Sequence, residues 1–280
     1  MCNSENLNGL VHHQAEQHRL DVIKWLCSVN FSTQHNDLCG QCQEGSGQWL
    51  LESPEFRSWI LKKQQTLYCP GIPGAGKTML SSVVIEHLRG ERHADVDSNI
   101  GIAFLYCSYK RQGEQKLKVL LASLLQQLVR GLPSLPDEVD QLQKKHLAEE
   151  TQPSINEIKT LLCSVTKSFP KISIVIDALD ECVETERKQL LNELFRLQAQ
   201  THLNIFATSR DLPEIKSQFS GCPSLEIRAA EDDMRRYLEN HIHELKRCVV
   251  KSSVLQEEII SQILEVVDGM YVIDFCAKFG

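Results

Sequence analysis

The segment Gly71–Thr78 constrains the fold of this chain more strongly than any other feature. It reads Gly-Ile-Pro-Gly-Ala-Gly-Lys-Thr and satisfies the pattern G-x-x-x-x-G-K-[S/T] of a phosphate-binding loop. The short apolar segment Thr66–Cys69 precedes it, and apolar residues at helical spacing follow from Leu80 onward. A strand, a glycine-rich turn and a helix in this order form the context that the motif requires. A turn that binds nothing is the alternative, and the flanking elements argue against it.

Each residue type in this loop has a chemical task. Glycine lets the backbone curl so that successive N–H groups face a phosphate, and the following helix points its N-terminus at the same anion. Lys77 can reach the β- and γ-phosphates, and the hydroxyl of Thr78 can ligate magnesium. The predicted nucleotide contacts form one continuous region: Gly71, Pro73, Gly74, Ala75, Gly76, Lys77, Thr78 and Met79.

A second motif is the apolar run Ile172–Ile176, which ends in Asp177. A strand that ends in an acid at this place is typical of the Walker B motif, so we predict Asp177 as a magnesium ligand, directly or through water. Buried strands often end in aspartate, and a solvated acidic turn is the alternative. The position of Asp177, 100 residues after Lys77, favours the Walker B interpretation with helices inserted between the two motifs.

Hydrolysis of a nucleoside triphosphate needs a carboxylate that positions water near the γ-phosphate. The residue after Asp177 is Ala178, which cannot supply one. Asp180 is the preferred candidate and Glu181 the second, since both lie on the following turn. A buried carboxylate beside Mg²⁺ resists protonation, so we expect slow turnover.

A third motif, Asn204–Arg210, is an apolar segment that ends in small polar residues and an arginine. If this strand lies between the P-loop strand and the Walker B strand, Arg210 can touch the γ-phosphate and distinguish triphosphate from diphosphate. A surface arginine in a helix cap or an ion pair is the alternative.

The alternation of strand-like and helical segments predicts an α/β, three-layer P-loop fold with a parallel five-stranded sheet. The five strands are expected at 66–69, 100–106, 172–176, 203–207 and 225–227. We expect a helical linker at 1–45, the P-loop domain at 46–229, and the start of a helical region at 230–280. A leucine stripe at 117–128 is either core or a partner-binding helix, and core is favoured.

Composition narrows the functional classes. The 280 residues carry a formal net charge of −7, which gives no global electrostatic signature for nucleic acid or anionic lipid. We therefore expect neither as a partner. The N-terminal sequence lacks the features of a signal peptide, and the eleven scattered cysteines are expected to be reduced thiols in the cytosol.

Two further groups of residues are ambiguous. Cys39 and Cys42, with His35 nearby, could hold zinc. A structural zinc site usually needs four ligands and the sequence offers fewer here, so reduced thiols are favoured. Trp49 and Trp59 lie just before the first strand, where many P-loop folds build the adenine pocket. Stacking of the base on Trp49 is therefore a hypothesis, with core packing as its alternative.

Together, Gly71–Thr78, Asp177–Cys182 and Ala207–Arg210 resemble NACHT-type NTPases, and most closely the nephrocystin-like N-terminal NTPase domain of fungal NACHT–ankyrin proteins. The resemblance extends from about Leu20 to Met270. It implies a STAND-class switch that depends on ATP or GTP and oligomerises when a sensor is engaged. By this resemblance Asp177 is the magnesium ligand and Arg210 is the sensor arginine.

Related chains continue past the equivalent of Gly269-Met270 into further helices and a repeat array. This sequence stops at Gly280 without repeats, so we expect a truncated chain with an incomplete nucleotide clamp. Such a chain should release nucleotide quickly, and the apolar segment Tyr271–Phe275 should seek a protein partner or a second copy.

Two rival functions remain open. One is an interaction module that binds nucleotide without turnover. The other is a small-molecule P-loop kinase with residues 110–150 as a substrate lid. Such a lid should place an arginine on the γ-phosphate, and Arg111 and Arg130 are the only arginines there.

Overall fold

The structure is a computed structural model that describes residues 2–43, 45–94, 100–241 and 252–266. The predicted apolar segment 271–275 lies outside the described residues, as does most of the 230–280 region beyond residue 241. Within the described residues, none of the helices is both long enough and apolar enough to span a membrane.

A parallel sheet forms the centre of the fold. Its four strands are β1 (Thr66–Pro70), β2 (Ile100–Tyr106), β3 (Lys171–Asp177) and β4 (Leu203–Ser209), in the spatial order β1-β4-β3-β2. All residues of β1 and β4 are buried, which requires cover on both faces of the sheet and hence three layers. The prediction that the Arg210 strand lies between the P-loop strand and the Walker B strand is confirmed.

The prediction of a fifth strand at 225–227 is wrong, since the sheet has four strands. This segment does run beside β1, where Leu225 N donates to Tyr68 O and Ile227 N donates to Pro70 O. A continuous parallel ladder would also need an N–H donated by residue 70 to Leu225 O. Proline has no N–H, so only two isolated bridges form, Tyr68 with Ser224 and Gly71 with Ile227.

Helices connect and cover the strands, and their bounds follow in chain order. They are α1 (Cys2–Leu26), α2 (Phe31–Gln41), α3 (Gln48–Glu52), α4 (Pro54–Leu61), α5 (Lys77–Ala94), α6 (Leu117–Gly131), α7 (Asp137–Ala148), α8 (Ile155–Lys167), α9 (Glu184–Gln198), α10 (Pro213–Lys216), α11 (Glu231–His241) and α12 (Ser253–Val266). Short 3₁₀ turns lie at Tyr109–Glu114, Leu179–Glu181 and Ser217–Phe219.

The leucine stripe of α6 belongs to the core, as favoured from its spacing. Its six leucines are all buried: Leu117, Leu120, Leu121, Leu124, Leu125 and Leu128. Helix α6 packs against β2, α8 and α1, so its apolar face is covered within the chain.

Helices α1 and α2 also join the main core. Val22, Ile23 and Leu26 at the end of α1 and Phe31 at the start of α2 are buried in the same hydrophobic cluster as the sheet. Helix α2 packs on α5, the helix that follows the P-loop, and on β2. The N-terminal segment thus helps to hold the P-loop helix against the sheet. The predicted domain boundary at residue 45 stays a prediction.

Candidate nucleotide site

Three functional segments meet at one edge of the sheet. Strands β1 and β4 are paired so that Pro70 lies opposite Ser209, and the β3–β4 ladder pairs Ile176 with Ala207. The carboxyl ends of all three strands therefore lie side by side. In open α/β sheets this edge is where ligands bind. The topology thus brings together the glycine-rich loop, Asp177 and Arg210.

The glycine-rich loop turns sharply between β1 and α5. Gly74 and Gly76 have φ of 77° and 82°, a left-handed conformation that side chains with a Cβ adopt reluctantly. Gly71 is needed for a different reason, because a Cβ there would lie 2.6 Å from Ile227 O. Ala75 is buried beneath the loop, whereas Pro73 and Gly74 are exposed on its outer side.

The ammonium of Lys77 lies against the backbone of its own loop. Its Nζ donates to Gly71 O at 2.9 Å and to Ile72 O at 2.8 Å. Burial lowers the pKa of Lys77, and the carboxylates of Asp180 and Asp177 oppose that shift. The lysine is thus held at the loop by weak carbonyl acceptors and faces two acids from the neighbouring strands.

Asp177 gathers three hydroxyl donors at the end of β3. Thr78 Oγ1 donates to Oδ2 at 2.7 Å, while Ser81 Oγ and Thr208 Oγ1 donate to Oδ1 at 2.9 and 2.7 Å. The carboxylate is only 2% exposed, and its burial raises its pKa, although the three hydroxyls oppose this. The pKa of Asp177 stays raised even though the charge of Lys77 opposes the shift, so this arrangement favours a bound cation.

Sequence analysis identified Thr78 and Asp177 but missed Ser81 and Thr208. Ser81 lies one helical turn after Thr78, so the i, i+3 spacing on α5 carried the signal. Thr208 Oγ1 also accepts from Ala178 N at 3.0 Å and so ties the end of β4 to the turn after β3. This link depends on the register of β3 and β4, which no local pattern reveals.

The donor set at Asp177 fits a magnesium ion. Mg²⁺ prefers oxygen ligands and is usually held by one or two protein oxygens together with water and phosphate. The hydroxyl of Thr78 and the carboxylate of Asp177 supply two such oxygens in contact with each other.

Arg210 and Asp180 form an ion pair above this centre. Arg210 Nε donates to Asp180 Oδ2 at 2.6 Å, and Arg210 N donates to Asp180 Oδ1 at 2.9 Å. The side chain of Asp180 is 4% exposed and that of Arg210 is 51% exposed. Ala178, with φ of 54°, makes the left-handed turn that leads from β3 into the 3₁₀ turn carrying Asp180. Sequence analysis named both residues but did not foresee their pairing.

Glu181 lies in a different environment from Asp180. Its Oε2 accepts from Tyr109 N at 2.9 Å, and its carbonyl accepts from Gln112 Nε2 at 3.0 Å. Glu181 therefore anchors the 3₁₀ segment after β2. Of the two predicted carboxylates, only Asp180 contacts Arg210.

The remaining predicted residues lie on the flanks of the loop. Met79, in the first turn of α5, is contacted by Cys42, whose Sγ lies 2.8 Å from Met79 Sδ. Trp49 is half-buried against the main core, and its Nε1 is buried without a hydrogen-bond partner among the described residues. Trp59 is a core residue whose Nε1 donates to Ile205 O at 2.9 Å.

The segment before β1 lies against the P-loop helix. A Cβ at Gly47, whose φ is 73°, would lie 2.7 Å from Leu80 Cδ2 in the first turn of α5. The carboxylate of Asp233, on α11, accepts from Gly47 N at 2.9 Å. Gly47 and the start of α11 thus lie beside the P-loop helix, and base stacking on Trp49 stays a prediction.

A parallel sheet with a glycine-rich loop, a Lys-Thr helix start and a buried acid on a neighbouring strand defines a nucleotide-binding domain of the P-loop NTPase class. The chain belongs to the family described as nephrocystin 3, N-terminal, whose model matches residues 45–210. This match confirms the resemblance to NACHT-type NTPases.

Comparison with known proteins adds one relative and several solved structures. The vegetative incompatibility protein HET-E-1 of Podospora anserina, a NACHT protein, is 26% identical over 212 residues. That alignment covers 70% of this chain but only 15% of HET-E-1.

Among solved structures, Cdc6p from Pyrobaculum aerophilum matches with a TM-score of 0.48 and 12% identity, over 82% of this chain and 56% of that chain. The Aeropyrum pernix ORC1 protein in complex with DNA matches with a TM-score of 0.47 and 15% identity, over 72% of this chain and 49% of that chain. The chain thus spans about half the length of these two proteins.

Proposed function

We propose that this domain binds a nucleoside triphosphate, ATP or GTP, with Mg²⁺, hydrolyses it slowly, and serves as a NACHT-type signalling switch or scaffold in the cytosol. The observation that carries the proposal is the contact of Thr78 Oγ1 with Asp177 Oδ2 at 2.7 Å. It joins the hydroxyl at the start of α5 to the acid at the end of β3, the two groups expected to share a magnesium ion.

Phosphate binding requires Lys77 to change partners. Its ammonium now bonds to two loop carbonyls, Gly71 O and Ile72 O. A charged phosphate oxygen is a stronger acceptor than a neutral carbonyl, so the β- and γ-phosphates can draw Nζ away from the loop. The positive φ of Gly74 and of Gly76 turns the loop backbone so that its N–H groups can face the same anion.

Magnesium, when bound, neutralises charge that develops on the phosphates. Thr78 and Asp177 would hold it. Ser81 and Thr208 position the Asp177 carboxylate through its other oxygen, Oδ1. This leaves Oδ2 as the oxygen directed at Thr78 and available for the ion.

Hydrolysis would depend on release of Asp180 from Arg210. A γ-phosphate that attracts the guanidinium of Arg210 weakens its ion pair with Asp180. The freed carboxylate can then position or deprotonate the attacking water. Because triphosphate binding itself creates the free carboxylate, turnover is expected to be coupled to γ-phosphate recognition. Turnover is expected to be slow because the ion pair must break first.

Binding without turnover is the second candidate, and the same ion pair favours it. Asp180 is held by two donors from Arg210, the side-chain Nε and the backbone N. If the backbone bond persists in the complex, Asp180 remains oriented towards β4 and water activation is weak. The kinase alternative has less support, because Arg111 is paired with Glu114 and the 117–128 part of the supposed lid is core.

A signalling role is supported by the relative HET-E-1, which is a vegetative incompatibility protein. We propose that the partners of this domain are nucleotide and other proteins, including further copies of itself. The expectation that it binds no nucleic acid stays a prediction that rests on its net charge of −7.

The direct test is identification, by mass, of the nucleotide retained by the purified protein, followed by phosphate release with Mg²⁺ and with EDTA. We expect any nucleotide that survives purification to be ATP, GTP or their diphosphates, added Mg·ATP or Mg·GTP to bind, and phosphate release to be slow and to require Mg²⁺. Tight binding with no phosphate release would favour the second candidate. The absence of any nucleotide binding would overturn both.

A further inference from the structure

We propose a metal site for Zn²⁺ or a similar borderline cation between α2 and α5, built from His35, Cys39 and Glu86. It shares no residue with the nucleotide site and has no role in the function proposed above. Among the residues that the structure describes, this is the group of three potential ligands whose donor atoms lie within 4.8 Å of one another. Sequence analysis noted His35 and Cys39 but not Glu86, which comes from a different helix.

Two of the three ligands are placed by helical spacing. His35 and Cys39 are one turn apart on α2, so their side chains project from the same face. Glu86 reaches them from α5, which packs against α2. The sulfur of Cys39 lies 3.4 Å from His35 Nε2, and Glu86 Oε1 lies 2.8 Å from the same nitrogen.

These separations are close to those that a tetrahedral zinc ion imposes. With standard zinc bond lengths and tetrahedral angles, a ligand nitrogen and a ligand sulfur lie about 3.6 Å apart. A ligand nitrogen and a ligand oxygen lie about 3.3 Å apart on the same geometry. The Cys39–His35 separation already matches. Glu86 needs to withdraw by about 0.5 Å on the same geometry; its side chain is 50% exposed, and the movement would loosen its ion pair with Arg89.

The histidine is held ready for a metal by a second contact. His35 is fully buried, and its Nδ1 lies 2.8 Å from the hydroxyl of Tyr106. A partner on one ring nitrogen orients the ring, as is usual for metal-binding histidines.

The local charge also suits a cation. The carboxylate of Glu86 lies within 4.8 Å of the Cys39 sulfur and supplies negative charge beside it. A metal ion would displace the thiol proton and neutralise both groups. The opposing charge is Arg89, whose Nη1 donates to Glu86 Oε1 at 2.8 Å. The contacts of Glu86 with His35 and with Arg89 both fall on Oε1.

Cys42 is the nearest further thiol, but it points elsewhere. Its sulfur contacts Met79 Sδ at 2.8 Å and Ser82 Oγ at 3.2 Å. We therefore assign three protein ligands and leave the fourth position to water, an arrangement that zinc accepts. A bound ion would tie α2 to the P-loop helix and add to the stability of the domain.

The test is titration of the full chain with Zn²⁺, without nucleotide, against a chromophoric chelator. We expect one equivalent of zinc and a higher melting temperature in its presence. Replacement by Co²⁺ should add a thiolate-to-metal absorption band. In Cys39→Ser the band should disappear, and zinc affinity should fall at least about tenfold, as expected for loss of a ligand.

Matched variants separate a metal site from a structural cluster. Glu86→Gln should weaken zinc binding while leaving the cobalt–thiolate band in place, and it probes the site without a change at a buried residue. Cys42→Ser and Cys163→Ser should bind zinc like the unmodified protein. Failure to bind one equivalent of zinc would overturn the proposal, as would unchanged zinc binding by folded Cys39→Ser.

Discussion

Arg210 holds Asp180 through two hydrogen bonds, one from its Nε at 2.6 Å and one from its backbone N at 2.9 Å. The pair joins the end of β4 to the turn after β3. It connects the residue that we expect to recognise a γ-phosphate with the residue that we expect to position water. The two tasks are therefore linked, because movement of the guanidinium to a phosphate would break the side-chain bond to Asp180 and leave only the backbone bond.

Arg210→Gln should reduce discrimination between triphosphate and diphosphate. Loss of a charge-assisted bond is worth about 1.5–3 kcal/mol, so triphosphate affinity should fall about 10- to 100-fold while diphosphate affinity changes little. Titration calorimetry with both nucleotides measures this. Arg111→Gln is the matched control, since that exposed arginine is paired with Glu114. Equal losses for triphosphate and diphosphate would show that Arg210 does not read the γ-phosphate.

Asp180→Asn should reduce phosphate release by about 10²–10⁴-fold, the usual contribution of a general base, with nucleotide binding kept within a few-fold. Glu181→Gln should have a smaller effect, because Glu181 contacts Tyr109 N and not Arg210. Single-turnover phosphate release separates the two variants. A larger loss in Glu181→Gln would identify Glu181 as the catalytic carboxylate instead.

Two aspects of the site could be predicted from the sequence: the residues that lie within a single motif, and the order of the strands that carry the motifs. The loop motif located Lys77 and Thr78, and the apolar run before Asp177 located β3. The position of the Arg210 strand between them is confirmed. Each of these follows from local spacing combined with the known context of the P-loop.

Side-chain pairing between segments could not be predicted in this way. The bonds of Asp180 to Arg210 and of Thr208 to Asp177 depend on the register of β3 and β4. The fifth strand was predicted from three residues with strand-like character, Leu225–Ile227. This prediction is wrong because of the neighbouring strand β1 and not because of residues 225–227. Pro70 in β1 lacks the N–H that a continuous ladder requires.

Asp177→Asn should stabilise the fold in EDTA and abolish the tightening of nucleotide binding by Mg²⁺. The pKa of Asp177 is raised in the native state by burial, so the native state holds this proton more tightly than the unfolded chain. The carboxylate therefore costs stability as pH rises above its unfolded-state pKa, and the cost is complete once pH exceeds its native pKa. The melting temperature of Asp177→Asn should rise by about 2–4 °C for each kcal/mol by which the free energy of unfolding increases.

The advantage of Asp177→Asn should shrink as pH falls and Asp177 in the unmodified protein becomes protonated. Asp140→Asn is a control of opposite sign. The hydrogen bond from Lys144 lowers the pKa of Asp140, so its carboxylate stabilises the fold at neutral pH and that stability is lost on acidification. Thermal melts of both variants from neutral to acidic pH test these trends. A melting temperature of Asp177→Asn below that of the unmodified protein at neutral pH would contradict the account.

Leu124→Ala should reduce the free energy of unfolding by about 2–5 kcal/mol, the usual cost of a truncated leucine in a packed core. Leu124 is fully buried in α6. Leu147→Ala is the control, because that leucine is 59% exposed and should change stability by no more than about 0.5 kcal/mol. Urea unfolding measures both. A small change in the free energy of unfolding for Leu124→Ala would indicate that the apolar face of α6 is a partner-binding surface and not part of the core.

Nucleotide binding through Lys77 is the central claim. The lysine carries the charge at the loop, and its Nζ is held there by two carbonyl bonds that a phosphate can replace. In Lys77→Ala the loop glycines and the α5 dipole remain, so the fold should persist while the main phosphate contact is lost. Lys116→Ala is a control at a lysine outside the site.

The most direct measurement is titration calorimetry of Mg·ATP and Mg·GTP into Lys77→Ala, Lys116→Ala and the unmodified chain, with circular dichroism of each sample. The account predicts binding by the unmodified chain and by Lys116→Ala. It predicts no measurable binding by Lys77→Ala and superimposable dichroism for all three. Equal nucleotide affinity in Lys77→Ala and the unmodified chain would contradict the assignment of Gly71–Thr78 as the phosphate-binding loop.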